Sequence, residues 1–128
     1  MRIGIIILTI SILSACTATR YPPRSSLHED KNYREEGIAS WYGEEFKGRK
    51  TANGERFNPS ALTCAHRSLP FGTRVRVINL ENNRDVIVRV NDRGPVRHSR
   101  LIDISYAAAR TLNFVGQGIT RVRVESIP

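Results

Sequence analysis

Apolar and polar side chains alternate along three segments of the chain, which is the pattern of half-buried β-strands. The segments are residues 73–80 (TRVRVINL), 84–91 (RDVIVRVN) and 118–126 (GITRVRVES), and each contains a Val-Arg-Val tripeptide. Since successive side chains of a strand point to opposite faces, we expect the valines in a core and the arginines on an outer surface. Residues 81–83 (ENN) lie between the first two segments and predict a hairpin turn.

Two further segments complete the predicted domain. Residues 37–43 (GIASWYG) have the composition of a short strand, and residues 105–113 (SYAAARTLN) predict one helix with Ser105 as its N-cap. Several short strands with a single helix indicate an all-β fold, a small closed β-barrel. A chain of 128 residues is long enough for one such domain and too short for two.

The beginning of the chain has a different pattern. In residues 1–16 (MRIGIIILTISILSAC), an apolar run follows Arg2. The run is too short to span a bilayer and is typical of a secretory signal peptide. Its end, LSAC, resembles the lipobox of bacterial lipoproteins, which implies cleavage before Cys16 and lipidation of the Cys16 thiol. The alternative is an ordinary cleaved signal in which this cysteine is incidental.

The chain therefore divides into three parts in our prediction. These are a lipoprotein signal peptide at 1–15, a lipidated tether at 16–36 and a globular domain at 37–128. The tether is rich in charges, contains two prolines and has little periodic apolar content, as extended or disordered linkers have. Several acyl chains would hold the protein stably on a membrane.

The charge balance bears on the partner of the protein. The chain has 20 Lys and Arg against 12 Asp and Glu, which gives a net charge of +8. Such an excess favours a polyanion, which could be nucleic acid, an anionic membrane or an acidic cell-wall polymer. Because the export signal argues against nucleic acid, we expect the polyanion to lie outside the cytoplasm.

Cys64 is the only cysteine besides Cys16. If Cys16 is lipidated, Cys64 has no intramolecular disulfide partner. His66 could share a strand face with the Cys64 thiol, as a base and its nucleophile would, but a small buried thiol is the favoured interpretation. The cysteines and histidines are too few and too widely separated to predict a structural zinc site.

Two aspartates close apolar stretches of the chain, Asp92 in VIVRVND and Asp103 in RLIDIS. Carboxyl groups at strand ends on one side of a barrel are suited to acid–base catalysis. If the substrate is a glycan, such an acid could protonate the glycosidic oxygen, which is otherwise a poor leaving group. Each aspartate has a structural alternative. Asp92 could pair with Arg93 or cap its turn, and Asp103 precedes a helix whose start stabilises negative charge.

Other side chains suit a carbohydrate ligand. Aromatic rings stack on the C–H faces of sugars, so Trp41 and Tyr42 are candidates for a glycan groove, with a core position as the alternative for Trp41. A turn at residues 53–54 projects Glu55. His66 precedes a turn at residues 70–72 and is a candidate for function, although a lone histidine is more often structural.

Five blocks of the sequence, in order, closely resemble the rare lipoprotein A (RlpA) family: GIASWYG, GRKTANGERF, LTCAHRSLPFGTRVRVINL, VIVRVNDRGP and RLIDISYAAARTL. The resemblance covers residues 37–126. It implies a six-stranded double-psi β-barrel with one short helix, and endolytic peptidoglycan transglycosylase activity that prefers glycan strands without stem peptides. Because the predicted barrel fills this range, we expect no C-terminal SPOR domain of the kind that many relatives carry.

The functional positions of the family match Glu55, His66 and Asp92. Asp103 matches an aspartate that also resembles the catalytic aspartate of expansins and of the membrane-bound lytic transglycosylase A. These matches do not rank Asp92 against Asp103 as the general acid.

The resemblance implies cleavage of the β-1,4 bond between N-acetylmuramic acid and N-acetylglucosamine without water. One aspartate would protonate the leaving oxygen and then accept the proton of the muramic acid 6-hydroxyl, which closes a 1,6-anhydro ring without a metal or cofactor. In this mechanism, Glu55 and the other aspartate would tune the pKa of the acid or stabilise the developing positive charge. The residues that would position the sugar are His66, Asn91 and Arg93. The rings of Trp41 and Tyr42 would line the groove.

The alternative function is a non-catalytic glycan-binding or expansin-like wall-loosening module. For location, we expect a lipid-anchored protein of the cell envelope that faces the periplasm. Thr17 stands where an aspartate retains some lipoproteins at the inner membrane, so the outer membrane is the favoured site.

Overall fold

The computed structural model of the protein describes residues 32–127. The predicted signal peptide and the predicted lipidation site at Cys16 lie outside the described residues. Within residues 32–127, no helix combines the length and the apolar character that crossing a membrane requires.

Six strands close into one barrel, which confirms the predicted fold class. Their bounds are β1 Arg34–Tyr42, β2 Thr63–Ala65, β3 Arg74–Asn79, β4 Asp85–Asp92, β5 Ile102–Ser105 and β6 Ile119–Ser126. Around the barrel they follow the order β1-β5-β2-β4-β3-β6, and β6 pairs with β1 to close it. Two neighbouring pairs, β1 with β5 and β2 with β4, are parallel, and the other pairs are antiparallel.

The valines of the alternating segments fill the barrel, as predicted. Those at most 1% exposed are Val75, Val77, Val88, Val90, Val122 and Val124. The arginines between them, such as Arg76 and Arg89, are partly exposed on the outside. Since burial of one valine side chain contributes about 1.5–3 kcal/mol, this interior is a main source of stability.

The predicted hairpin and the predicted helix are both confirmed. β3 and β4 pair antiparallel, with Val77 opposite Val86. The helix, α1, spans Tyr106–Leu112, and the Ser105 hydroxyl oxygen accepts the backbone N–H of Ala108 at 3.3 Å. The buried face of α1 packs against β1, β4 and β5.

The first strand begins earlier than predicted. β1 starts at Arg34, inside the segment predicted as a tether, whereas the predicted domain starts at Gly37. Its first residues pair with β6, with Arg34 opposite Glu125 and Glu36 opposite Arg123. Opposite charges on neighbouring strands are favourable, and Glu36 Oε2 lies 3.7 Å from Arg121 Nη2 of β6. This pairing therefore extends a strand that has no apolar alternation of its own there.

The resemblance implied six strands, but the alternation of apolar and polar residues did not locate the short strands β2 and β5. They contain three and four residues, too few for an alternating pattern to stand out. Each lies between two other strands, β2 between β5 and β4, and β5 between β1 and β2. Hydrogen bonds on both sides therefore stabilise strands that the local sequence does not predict.

Candidate active site

One row of side chains crosses four strands on the outer face of the barrel. Ser40 of β1 lies opposite Asp103 of β5. Ala65 of β2 lies opposite both Asp103 and Asp92 of β4. Residues paired across neighbouring strands point to the same face. The Cα atoms of the two aspartates are therefore two strand spacings apart, roughly 10 Å.

A β-bulge in β4 brings Asp92 into this row. Cys64 pairs with Val90, but the next residue, Ala65, pairs with Asp92, so Asn91 is an extra residue in β4. A bulge shifts the alternation and re-aims the side chains that follow it. Without the bulge, Asn91 would lie beside Ala65 and Asp92 would point toward the core.

The two aspartates line a single cavity of about 290 Å³. Its walls come largely from the loops after β1 and β4. The other lining residues are Tyr42, Phe46, Arg49, Lys50, Thr51, Phe57, Ala65, Arg93 and Val96. Aromatic rings, acids and cations together suit a hydroxyl-rich ligand that also carries negative charge.

The two aspartates have different partners. Asp92 Oδ1 accepts the backbone N–H groups of Ala52 and Arg93, both at 2.9 Å. Asp103 Oδ1 accepts the hydroxyl of Ser40. Backbone donors hold the Asp92 carboxylate in one position, whereas a hydroxyl rotates and can donate or accept. The partner of Asp103 can therefore adapt when the carboxyl group gains or loses a proton.

Tyr42, which the sequence suggested as a substrate-binding residue, lines the cavity. Its ring packs against Phe57 and Phe46, with centroid distances of 4.4 and 5.9 Å. Burial raises the pKa of Tyr42, and the neighbouring acidic groups of Cys64 and Asp92 raise it further. The phenol is therefore neutral at physiological pH and can donate a hydrogen bond.

Trp41 lies outside this cavity. Neighbouring residues of a strand point to opposite faces, so Trp41 and Tyr42 cannot line one groove. The Trp41 indole packs against the core and against Tyr106, with ring centroids 5.5 Å apart. Its Nε1 donates to the backbone oxygen of Val115 at 3.3 Å. The predicted aromatic pair is thus divided between two surfaces.

Glu55 lies outside the cavity lining, in a bidentate ion pair with Arg89 of β4. Arg89 Nη1 is 2.5 Å from Glu55 Oε1, and Nη2 is 2.9 Å from Oε2. Asn53 Nδ2 donates to Oε1 at 2.8 Å, and Asn91 Nδ2 donates to Oε2 at 3.2 Å. These bonds, those from Arg89 first, hold the pKa of Glu55 down at about 2. Glu55 is placed to fasten its loop to β4, through Arg89 and the bulge residue Asn91.

His66 is also outside the cavity lining and is only 4% exposed. Its Nδ1 accepts the backbone N–H groups of Ser68 and Leu69 at 3.1 and 3.0 Å. Its Nε2 lies 2.9 Å from the Tyr33 hydroxyl, which donates to Glu35 at 2.8 Å. These contacts assign the ring proton to Nε2. Burial lowers the pKa of His66, so the ring is neutral.

Arg93 and His66 brace the backbone around Asp92. The backbone N–H of His66 donates to the Asp92 carbonyl at 3.1 Å. Arg93 Nη1 donates to the backbone oxygens of Leu69 and His66 at 2.8 and 3.2 Å. The Arg93 guanidinium lies 3.9 Å from the centroid of the Phe71 ring. Arg93 therefore lines the cavity with part of its hydrogen-bonding capacity already used by the protein.

Cys64 is a fully buried core residue, which confirms the favoured interpretation of the sequence. Burial raises the pKa of the Cys64 thiol, so the group is a thiol at neutral pH. In residues 32–127, no three His, Cys, Asp or Glu side chains are arranged so as to hold a metal ion.

Sequence patterns missed Ser40, Arg49 and Lys50. Ser40 lies two positions before Tyr42, so strand alternation alone places both on one face and could have identified it. Arg49 and Lys50 lie in the loop between β1 and β2, whose path no periodic pattern predicts. The Arg49 guanidinium is 5.4 Å from the centroid of the Phe46 ring.

Comparison with known proteins gives a consistent result. Residues 34–124 match the lytic transglycolase family. The chain is 61% identical over 92 residues to the "Probable endolytic peptidoglycan transglycosylase RlpA" of Nostoc sp., which covers 70% of this chain and 25% of that relative. It is 50% identical over 108 residues to the "Endolytic peptidoglycan transglycosylase RlpA" of Neisseria meningitidis serogroup A, covering 84% and 44%. The chain spans less than half the length of these curated relatives.

Two solved structures share the fold at lower identity. The Streptomyces papain inhibitor aligns with a TM-score of 0.61 and 22% identity over 75% of this chain and 96% of its own. The Clavibacter michiganensis expansin aligns with a TM-score of 0.60 and 20% identity over 75% and 51%. The family match covers almost the whole described barrel. The chain therefore belongs to the lytic transglycolase family, among the relatives of RlpA, and its domain is the expected double-psi β-barrel.

Proposed function

We propose that this domain is an endolytic peptidoglycan transglycosylase. It cleaves the β-1,4 bond between N-acetylmuramic acid and N-acetylglucosamine and leaves 1,6-anhydro ends. The observation that carries the proposal is that Asp92 and Asp103 face one cavity from either side of Ala65. The names of the relatives support the same reaction class.

Asp103 is the proton donor in this proposal. Its carboxyl group protonates the glycosidic oxygen as the bond from that oxygen to C1 breaks, so N-acetylglucosamine leaves as a neutral alcohol. The carboxylate that remains takes the proton of the muramic acid 6-hydroxyl while that oxygen bonds to C1. Asp103 is then protonated again, and no water is consumed. Ser40 supports both states because its hydroxyl can donate or accept.

Asp92 stabilises the positive charge that develops at C1. Its carboxylate is already held by two backbone N–H groups at 2.9 Å, so it needs no reorganisation during the reaction. The spacing of roughly 10 Å between the two Cα atoms leaves room for a sugar ring between the side chains. Attack by an internal hydroxyl also removes the need for a second carboxylate to activate water.

The cations of the cavity support a substrate without stem peptides. In such a strand, each N-acetylmuramic acid carries a free lactyl carboxylate. A stem peptide would convert this group to an amide, and the carboxylates of the peptide itself would lie farther from the sugar. Arg49 and Lys50 line the same cavity as the two aspartates. Their charge favours the free carboxylate, so we expect denuded strands to bind more tightly than peptide-bearing strands.

The decisive experiment incubates the purified full chain with glycan strands stripped of peptides and analyses the ends by mass spectrometry. We expect 1,6-anhydromuramic ends from the wild type and strongly reduced amounts from Asp92→Asn and Asp103→Asn. Asp85→Asn is the matched control, because Asp85 is an exposed aspartate at the opposite end of β4. Its rate should equal that of the wild type.

Two other outcomes would refute the proposal. Ordinary reducing ends would identify a hydrolase. Glycan binding without any cleavage would identify the alternative, a glycan-binding or wall-loosening module. Circular dichroism of each variant would separate loss of chemistry from loss of folding.

We also propose that Cys16 is lipidated and anchors the domain to the membrane, facing the periplasm. The support is the apolar run that ends in Leu13-Ser14-Ala15-Cys16. Cells that express the full chain should incorporate labelled palmitate into the wild type but not into Cys16→Ser. Cys64→Ala is the control and should retain the label. Fractionation of the two membranes would test the outer-membrane expectation, and an unlabelled wild type would contradict the anchor.

A further inference from the structure

A second cavity, of about 370 Å³, lies beside the candidate active site. It is lined by Trp41, Gly43, Glu44, Glu45 and Tyr106. The two cavities have no lining residue in common, but the short segment 43–46 contributes Phe46 to the first and the other three residues to the second. A chain-like ligand that leaves the first cavity over this segment would therefore reach the second.

Two aromatic rings form one wall of this cavity, and the backbone at Gly43 passes close to one of them. The rings of Trp41 and Tyr106 have centroids 5.5 Å apart and planes tilted by 55°. A Cβ atom at Gly43 would lie 2.8 Å from Trp41 Cζ3 and 3.3 Å from Glu45 Oε2. Glycine at this position therefore leaves room for the indole and the carboxylate where a Cβ atom would otherwise project.

The charge of this cavity is opposite to that of its neighbour. Glu44 and Glu45 are exposed acids, whereas Arg49 and Lys50 give the first cavity a cationic wall. Carboxylates accept hydrogen bonds from sugar hydroxyls, and aromatic rings pack against the C–H face of a sugar. The same carboxylates repel an anionic sugar. A cationic ligand should bind less well to the Tyr106 ring, because the Arg110 guanidinium already lies 5.8 Å from the ring centroid.

We infer that the second cavity is a subsite for a neutral sugar, an N-acetylglucosamine unit of the glycan strand. The inference rests on the proposed function, because only then is the ligand a strand in which neutral and anionic sugars alternate. A cationic cavity followed by an acidic aromatic one matches that alternation. The subsite would set the register of the strand, so that a muramic acid unit occupies the cavity of Asp92 and Asp103.

The test uses the fluorescence of Trp41, the only tryptophan in the chain. The full chain is titrated with chitotriose, and then with N-acetylglucosamine and N-acetylmuramic acid as a matched neutral and anionic pair. We expect a saturable change with chitotriose, and at least fivefold weaker binding of the muramic acid at low ionic strength. The difference should shrink to below twofold when Glu44 and Glu45 are both replaced by Gln, because the repulsion is then removed.

Two variants and a control locate the binding. Tyr106→Ala should weaken chitotriose binding at least tenfold, since it removes one stacking surface while Trp41 remains as the reporter. Glu81→Gln changes an exposed glutamate in the β3–β4 turn and should bind like the wild type. No saturable change, equal binding of both monosaccharides, or full binding by Tyr106→Ala would overturn the inference.

The titration separates failure of the subsite from failure of the proposed reaction. Saturable binding in a protein that does not cleave glycan would leave the neutral-sugar subsite standing and refute the transglycosylase. Cleavage to 1,6-anhydro ends without a response from Trp41 would support the transglycosylase and refute the neutral-sugar subsite.

Discussion

A buried asparagine lies at each end of the β3–β4 hairpin, and the two side chains differ in how fully they are hydrogen-bonded. At the turn, Asn79 is 1% exposed, and its Nδ2 donates to the Leu112 carbonyl at 2.9 Å. Its Oδ1 accepts from the Thr120 hydroxyl and the Glu81 N–H, both at 3.0 Å. At the other end, Asn91 is 2% exposed, and its Oδ1 has no hydrogen-bond partner among residues 32–127.

This difference separates a stabilising end of the barrel from the end that carries the candidate site. Buried polar groups are normally fully hydrogen-bonded, and a satisfied network makes a structure rigid. Asn79 follows this rule and joins β3, β6 and the end of α1. Asn91 departs from it at the bulge that turns Asp92 to the outer face. Local departures from good packing concentrate where a protein binds or reacts.

The largest effect should come from the end that carries the candidate site. Asp103→Asn should lower the rate of 1,6-anhydro product formation at least 100-fold, since an amide cannot supply the proton. Asp92→Asn should cost less, about 10- to 100-fold, because the amide still occupies the site but lacks the charge. Rates from single-turnover assays, with melting temperatures close to that of the wild type, would check both. A larger loss for Asp92→Asn would exchange the two roles.

The turn end should show the reverse behaviour. Asn79→Ala should lower the free energy of unfolding by about 3 kcal/mol. It leaves the Thr120 hydroxyl and the Glu81 N–H without their acceptor and removes one of the two donors to the Leu112 carbonyl. The rate per folded molecule should not change. Urea unfolding would measure the loss. Asn82→Ala is the matched control, because Asn82 is exposed and also donates to Leu112. It should cost less than about 1 kcal/mol.

A smaller effect on the rate is expected at Ser40, the first residue of the row that contains the two aspartates. Ser40→Ala removes the hydroxyl that contacts Asp103 but leaves both acids in place. We expect a rate about tenfold lower, which corresponds to an activation barrier about 1.4 kcal/mol higher, together with a shifted pH–rate profile. Ser60→Ala, which changes an exposed serine, is the control. An unchanged profile in Ser40→Ala would mean that the hydroxyl has only a packing role.

The smallest effect concerns Glu55. Its lowered folded-state pKa means that its stabilising contribution is complete above its ordinary value of 4.5 and is lost as the pH falls toward about 2. The stability advantage of the wild type over Glu55→Gln should therefore shrink between pH 5 and pH 3. Because the side chain is 40% exposed, the advantage should stay below about 1 kcal/mol. Urea unfolding at both pH values would measure it, and a gap that grows on acidification would contradict the assignment.

Much of the barrel could be predicted from local patterns. The Val-Arg-Val alternation identified β3, β4 and β6, and Ser105 with its following alanines identified α1. These signals are local because one strand face or one helix end meets its environment through residues close in sequence. β2 and β5 gave no such signal, since neighbouring strands rather than their own sequence support them.

The candidate site depended on the tertiary structure to a greater degree. The sequence by itself determined that Asp92 and Asp103 end apolar stretches, and that Tyr42 lies in a short strand. Only the fold decided that Ala65 stands between the two acids, that Glu55 and His66 brace loops outside the cavity, and that Trp41 faces a different cavity from Tyr42. The physical reason is that strand register, the bulge at Asn91 and the loop paths are set by pairing between segments far apart in the chain.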